Sequence, residues 1–443
     1  MKDLVTTLFG AIGGPLILFV GLGMMYFVFT RLGINLEPIV SIVIALTPIW
    51  LPTTFFYILY ERWMDYVRLK FALENGRTTL RIKLPQEVFK SPEAMESVFA
   101  QLHNPNGPEN LWQAYIDGKS PLTLSFELVS IGGEVRFYAN VPTKKIKNAV
   151  EAQLYSQYPG IEIVEEPIDY TGEITWDPKK YDMMSFHIVK KEKSIFPIKT
   201  YIDYGLDRMP KEEEKFEPMA PMLEALGKAA AHERLWIQFL LKPHAKKNFK
   251  TGDISESGTW EADAKATINE MSGRNNKKLG PNEGEEQVRL TAGERDTIAA
   301  IERNVGKYAY EVAIRAMYIT EVNKFDGEKI GLLLKPFSQY DILGRNALGV
   351  RWRTDFDYNW FSDWNGKKKI ALKKKELDLY KKRSYDDGDK KTHIDAPKVM
   401  SVEELATIYH IPGKVVMTPG LPRIESTRRE APSNLPTGIP FGI

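Results

Sequence analysis

At 443 residues the chain is too long for one compact core, and its formal net charge of +2 gives no global field that would draw it to a polyanion. It contains no cysteine, which excludes disulfides, thiolate metal sites, iron–sulfur clusters and cysteine nucleophiles. The histidines, at 103, 187, 232, 244, 393 and 410, have none of the short spacings of a metal or catalytic motif.

Charge is unevenly distributed. Leu4–Thr30 and Pro38–Tyr60 hold no charged side chain, and each is long enough for a ~30 Å hydrocarbon core. A short n-region and the lack of a small-residue cleavage site argue against a signal peptide. The pattern predicts a transmembrane helical hairpin over residues 1–70, with the short connector Arg31–Glu37 between antiparallel spans. Pro48 and Pro52 lie in the second span, which leaves a kinked span and a re-entrant segment as alternatives. Arg62 and Arg68 follow that span, with Trp63 and Tyr66 as interfacial anchors. The basic bias places the rest of the chain on the cytoplasmic side of an inner membrane, with the lipid bilayer as a partner.

From Thr79 the period changes. Thr79–Leu84 alternates as a strand, and Ser91-Pro92-Glu93 opens a helix. Leu122–Ile131 and Glu134–Val141 form a hairpin about Gly132-Gly133. A helix starting at Pro142 carries Val150 and Leu154 on one face, and Ile161–Val164 is a further strand. This β-α-β-β-α-β order predicts a ferredoxin-like domain over 76–170 with one sheet face on two helices and the other free. A second α+β domain is expected over 171–342. Its strands are Met183–Val189, Phe196–Tyr201, Arg234–Leu241 and Tyr308–Thr320, and its helices are Pro218–Lys228, Thr291–Asn304 and Lys329–Tyr340. A polar excursion at 245–287 interrupts it, with a helix at Trp260–Met271. The order of elements suggests an interrupted second copy of the first unit. Fold class is therefore α+β behind a transmembrane hairpin. Residues 343–443 form a basic, Pro-rich C-terminal region with a capped helix at Ser401–His410.

There is no phosphate loop, nucleophile elbow or zinc-protease motif, so no catalytic, cofactor-binding or metal-ligating residue is assigned and no cofactor is expected. Paired acids such as Glu165-Glu166 and Asp386-Asp387 read as solvated surface. The feature that remains is a basic run: Lys367, Lys368, Lys369, Lys373, Lys374, Lys375, Lys381, Lys382 and Arg383. Its readings are a solvated helix face, a contact for nucleic acid, and a contact for anionic lipid. Trp352, Tyr358, Trp360, Phe361 and Trp364 lie just upstream and offer stacking surfaces or buried anchors.

Several stretches together resemble one family. They are LSFELVSIGGEVRFYANVPTKKIKNAVEAQLYSQYPGIEI (124–163), TAGERDTIAAIERNVGKYAYEVAIRAMYI (291–319), SVEELATIYHIPG (401–413) and TPGLPRIESTRREAPSNLP (418–436). They are similar to the N-terminal, non-motor region of type IV secretion or conjugation-type ATPases of candidate-phyla bacteria. In that family a segment like Ile439-Pro440-Phe441-Gly442-Ile443 leads into a P-loop motor; here it ends the chain. The resemblance implies a non-catalytic, membrane-anchored structural or adaptor subunit of a secretion-like apparatus. It would dock a separate P-loop ATPase and self-assemble as a homo-oligomer. The alternative implied is a secretion ATPase whose motor is encoded separately or truncated.

Overall fold

The computed structural model describes residues 24, 27 and 31, then 37–86, 90–105, 107–208, 216–245, 250, 260–273, 290–354, 363, 366–384, 398–413 and 420–424. The chain divides into two compact units, Met1–Val67 and Arg68–Ile443.

The first described element corrects the membrane reading. Pro38–Tyr60 is not a separate element. It is the front half of α1, Glu37–Asn75, a helix of 39 residues that contains both Pro48 and Pro52. Apolar side chains dominate only up to Tyr60; beyond it Glu61, Arg62, Asp65, Arg68, Lys70 and Glu74 stand on the same helix. Among the described residues, no helix is long and apolar enough to cross a membrane. The expected first span lies outside the described residues apart from helical Met24, Phe27 and Arg31. The expected transmembrane hairpin and multi-pass inner-membrane location are therefore not supported. Arg62, Trp63, Tyr66 and Arg68 lie in mid-helix, where the Trp63 and Tyr66 rings are 6.0 Å apart.

The second unit is built on one sheet of ten strands. In the first half, β1 (Arg77–Pro85) leads through α2 (Pro92–Leu102) and the short α3 (Leu111–Tyr115) to β2 (Leu124–Ile131). β3 (Glu134–Pro142) leads through α4 (Lys147–Gln157) to β4 (Glu162–Glu166). The strands lie in the order β4-β1-β3-β2, every pairing antiparallel. In the second half, β5 (Tyr181–Lys190), α5 (Ala220–Gly227) and β6 (Arg234–Pro243) come first. An excursion carrying α6 (Trp260–Met271) and α7 (Ala292–Val305) follows. Then come β7 (Ala309–Glu321), α8 (Glu328–Leu334) with a 3-10 turn at Lys335–Tyr340, and β8 (Leu348–Trp352). Their spatial order is β8-β5-β7-β6, again antiparallel. The two halves thus repeat one β-α-β-β-α-β topology.

The halves meet along β2 and β6, which pair antiparallel from Leu124↔Leu241 to Ile131↔Arg234. Antiparallel pairing of corresponding strands is what an approximate two-fold axis through the seam produces. This seam corrects the expectation of a ferredoxin-like domain over 76–170 followed by a second α+β domain over 171–342: the two share one sheet. The outer edge of β2 is occupied by β6, so the first half forms one side of a continuous sheet. The expected strand Phe196–Tyr201 also fails. Pro197 removes one donor, and the amides of Ile198 and Tyr201 donate to the side chains of Glu404 and Thr407, both at 2.9 Å.

Both sheet faces are covered. Alternate residues such as Phe126, Leu128, Ile237 and Phe239 point into the main core, with Met95, Phe99, Leu154, Leu223 and Leu226 from the helices. The opposite face carries Val129, Tyr138, Trp236, Met317 and Ile319 under Tyr170, Leu377 and Tyr380. The last two belong to α9 (Lys367–Lys382), which lies over the face expected to be free.

The C-terminal elements are integral to this body. β9 (Lys398–Ser401) pairs with the start of β7, α10 (Val402–Ile408) is buried throughout, and β10 (Arg423–Ile424) runs parallel to the end of β1. The Tyr409 ring lies 5.3 Å from Phe126 and 5.4 Å from Phe239, which brings it to both sides of the seam. A fully buried side chain of this size contributes ~2–3 kcal/mol. α9 with Arg383 and the segment 398–411 therefore hold the seam on its two faces.

Candidate functional site, a buried ionic seam

On the α9 face a row of polar residues crosses the sheet. Arg81 pairs with Tyr138, Tyr138 with Glu127, Glu127 with Gln238, Gln238 with Arg315, Arg315 with His187, and His187 with Arg351. Glu127, Gln238, Arg315 and His187 are all buried. A buried charge costs several kcal/mol unless it is paired and hydrogen-bonded. α9 supplies the pairing, and its own charged residues are the counter-ions.

Glu127 is the centre of the first cluster. Its Oε1 accepts from Ser125 Oγ at 2.6 Å, Gln238 Nε2 at 2.9 Å and Arg383 Nε at 3.0 Å. Its Oε2 accepts from Tyr170 Oη at 2.7 Å and Arg383 Nη2 at 3.1 Å. Arg383 thus grips the carboxylate with two parallel bonds, and its Nη1 lies 2.6 Å from Asp169 Oδ2. This arginine ends α9 in the left-handed region, at φ +47°, a turn that directs its side chain back under the helix. Burial pushes the Glu127 carboxyl up, but the Arg383 charge together with the hydrogen bonds from Arg383, Ser125 and Tyr170 holds it below the usual carboxylate range. Asp169 behaves the same way: burial raises it, and the Arg383 charge with hydrogen bonds from Arg383 and Thr171 brings it below its ordinary value.

The second cluster anchors the other end of α9 to the second half. Glu376, fully buried, accepts from Arg353 at 3.1 and 3.2 Å, and His187 Nε2 lies 3.7 Å from its other oxygen. Burial again raises this carboxyl, and His187 and Arg353 together bring it below its ordinary value. On the opposite sheet face, Lys190 and Glu404 form a pair at 2.7 Å with neither side chain exposed. Glu404 also closes a capping box with Ser401 at the start of α10. Burial lowers the Lys190 ammonium, with Glu404 opposing.

These groups form clamps. The ionised Glu127 carboxylate has no proton to donate, is a weak base, and has both oxygens hydrogen-bonded inside the protein. A shallow cavity of about 240 Å3 lies between α5 and α8, lined by Pro221, Glu224, Lys228, Leu332, Lys335 and Gln339 among others, none of them from the ionic clusters. Among the described residues no group of three or more His, Cys, Asp or Glu could hold a metal ion.

The basic run divides by position. Lys367, Lys368, Lys374, Lys375 and Lys382 are exposed on α9, and Lys369, Lys373 and Lys381 are half-buried. Lys373 pairs with Asp182, and Lys381 donates to the Ile174 carbonyl. Arg383 is buried in the Glu127 cluster. The run therefore separates into outward lysines and inward anchors. Trp352 is described, its ring 5.7 Å from Phe186, while Tyr358, Trp360, Phe361 and Trp364 lie outside the described residues. The sequence reading missed Glu127, Gln238, His187, Arg315 and Glu376. For Glu127, Gln238, His187 and Arg315 the signal is a large polar side chain in the interior of a mainly apolar strand, whereas Glu376 stands in the lysine-rich helix α9.

No curated protein matches the chain. The secretion and conjugation terms implied by the resemblance find no support in the fold or in the family description, which assigns no function. The profile of DUF8128, a domain of unknown function, matches residues 66–341, from the second half of α1 to the 3-10 turn after α8. That is more than half of the chain, and the chain belongs to the DUF8128 family.

Proposed function

We propose that this protein is a non-catalytic structural subunit, a rigid platform that docks a separate P-loop ATPase and associates with further copies of itself. The observation that carries this reading is the double anchoring of the C-terminal elements. α9 is tied to the first half through Arg383–Glu127 and to the second through Glu376–Arg353, and α10 is tied through Glu404–Lys190 on the opposite face. A partner attached to this region meets one rigid body, because displacing α9 would unpair buried charges in both halves. The resemblance of 124–163, 291–319 and 401–413 to a region that precedes a motor supports the choice of an ATPase as that partner. The test is copurification of the full chain with the P-loop ATPases of its source organism, followed by mass measurement of the complex. A stoichiometric complex with one of them is expected. A protein that stays monomeric at micromolar concentration and retains none of them would end this reading, as would turnover of a substrate by the isolated chain.

A further inference from the structure

We propose that the outward face of α9 binds the phosphate backbone of nucleic acid without reading its sequence. At 3.6 residues per turn, Lys367, Lys368, Lys374, Lys375 and Lys382 fall within an arc of about 120° on α9; Lys375 already has an interaction within the protein, which leaves Lys367, Lys368, Lys374 and Lys382 for a ligand. All four are exposed. The opposite side of the helix holds Glu376, Leu377 and Tyr380, all buried. From Lys367 to Lys382 the line extends about 22 Å, over which duplex DNA presents one negative charge per ~1.7 Å. The single acid on the arc is half-buried Asp378, and the only exposed apolar residue there is Ala371.

Three features favour a phosphate backbone as the occupant. First, the helix is held in place before any ligand arrives, by Glu376–Arg353, Lys373–Asp182 and Arg383–Glu127, so binding does not have to order a flexible tail. Second, the cations on the arc are lysines, compact point charges suited to phosphate, and none is an arginine placed for bidentate base contacts. Third, the arc has no large apolar side chain to enter a bilayer, which a membrane-surface helix requires. Because the whole chain is nearly neutral, this local stripe stands out against a balanced surface.

The experiment is fluorescence anisotropy of the full chain with labelled random-sequence duplex DNA and single-stranded oligonucleotide, between 50 and 200 mM salt. Four phosphate contacts predict a log–log salt slope of about −3 to −4 for duplex. The quadruple variant Lys367→Gln, Lys368→Gln, Lys374→Gln, Lys382→Gln should bind at least tenfold more weakly at low salt and lose most of that slope. Each single variant should reduce the slope by about one. Circular dichroism and thermal melting of the quadruple variant confirm that it folds; all four residues are exposed, so its Tm should be unchanged. Absence of binding at 50 mM salt overturns the proposal, as does equal binding by the folded quadruple variant. Tighter capture by anionic vesicles, or by polyglutamate, than by nucleic acid would assign the stripe to another partner and overturn it equally.

Discussion

The two halves of the sheet share a strand order but differ where their central strands connect. In the first half β2 turns into β3 through Gly132 and Gly133, both at positive φ, at +59° and +90°. A Cβ on Gly133 would sit 3.0 Å from the Ala229 carbonyl and 3.1 Å from that of Gly227. In the second half the same connection, from β6 to β7, is the long excursion that carries α6 and α7. Its helices build a satellite core from Trp260, Ala264 and Ile301 with Ile195 and Ala309. The comparison shows which part of the repeat is constrained. The order of strands is set by pairing across the sheet, while the hairpin tip admits a tight turn or an added subdomain. The halves also hold α9 differently. The first uses a guanidinium gripping two acids, and the second uses an arginine and a histidine around one acid.

The largest expected effect comes from breaking the first anchor. Glu127→Ala leaves Arg383 buried without its main counter-ion and should destabilise the protein by ~3–5 kcal/mol, read by urea denaturation. Glu376→Ala, at the second anchor, should cost less, because Arg353 is nearer the surface and gains water. Equal costs would mean that the two anchors are equivalent.

Acid stability sharpens the same contrast. Glu127, Asp169 and Glu376 all have folded-state pKa values below their ordinary ones. Their contribution is therefore fully present above the usual carboxylate range near ~4 and is lost as pH falls through the lower folded values. Unfolding free energy measured from pH 6 down to pH 2 should fall steeply, and Glu127→Gln should flatten that limb. An unchanged acid limb in Glu127→Gln would show that the Arg383 pair does not control it.

Gly133→Ala tests the turn. Strain at positive φ together with contact on two backbone carbonyls should cost about 1–3 kcal/mol in thermal melts. A cost near zero would show that the first hairpin tip is as permissive as the second. The smallest pair of effects concerns two capping boxes, buried Ser401–Glu404 on α10 and exposed Thr291–Glu294 on α7. Ser401→Ala should cost ~1–2 kcal/mol. Thr291→Ala should cost less, because water replaces the lost acceptor at the exposed end.

Much of the local structure was legible in the residues themselves. The alternation in Thr79–Leu84, the Gly132-Gly133 turn, the Ser91-Pro92 helix start and the threonine-to-acid spacing at Thr291–Glu294 are short-range features. They correspond to β1, the β2–β3 turn, α2 and the cap of α7. The site was not legible to the same degree. Glu127 in LSFELVSI and Gln238 in RLWIQFLLKP are visible as polar interruptions, but their strand pairing is not. Arg383 read as the end of a surface lysine run, and only its position under α9 separates it from Lys382. The apolar Pro38–Tyr60 segment read as a span because hydropathy is summed over a window, whereas the helix it forms continues into charged residues up to Asn75.

Residue periods of two and 3.6, caps and glycine turns depend on neighbours a few positions away, so the amino-acid order alone determined most strands and helices of the two halves and their repeated order, though not the segment Phe196–Tyr201. The tertiary structure decided that β2 and β6 join those halves into one sheet, that α9 and α10 cover its two faces, and that Arg383 meets Glu127 across 256 residues of chain. The reason is physical. A strand edge and a buried charge can each be satisfied by any partner of the right geometry, and which one arrives depends on how the whole chain packs.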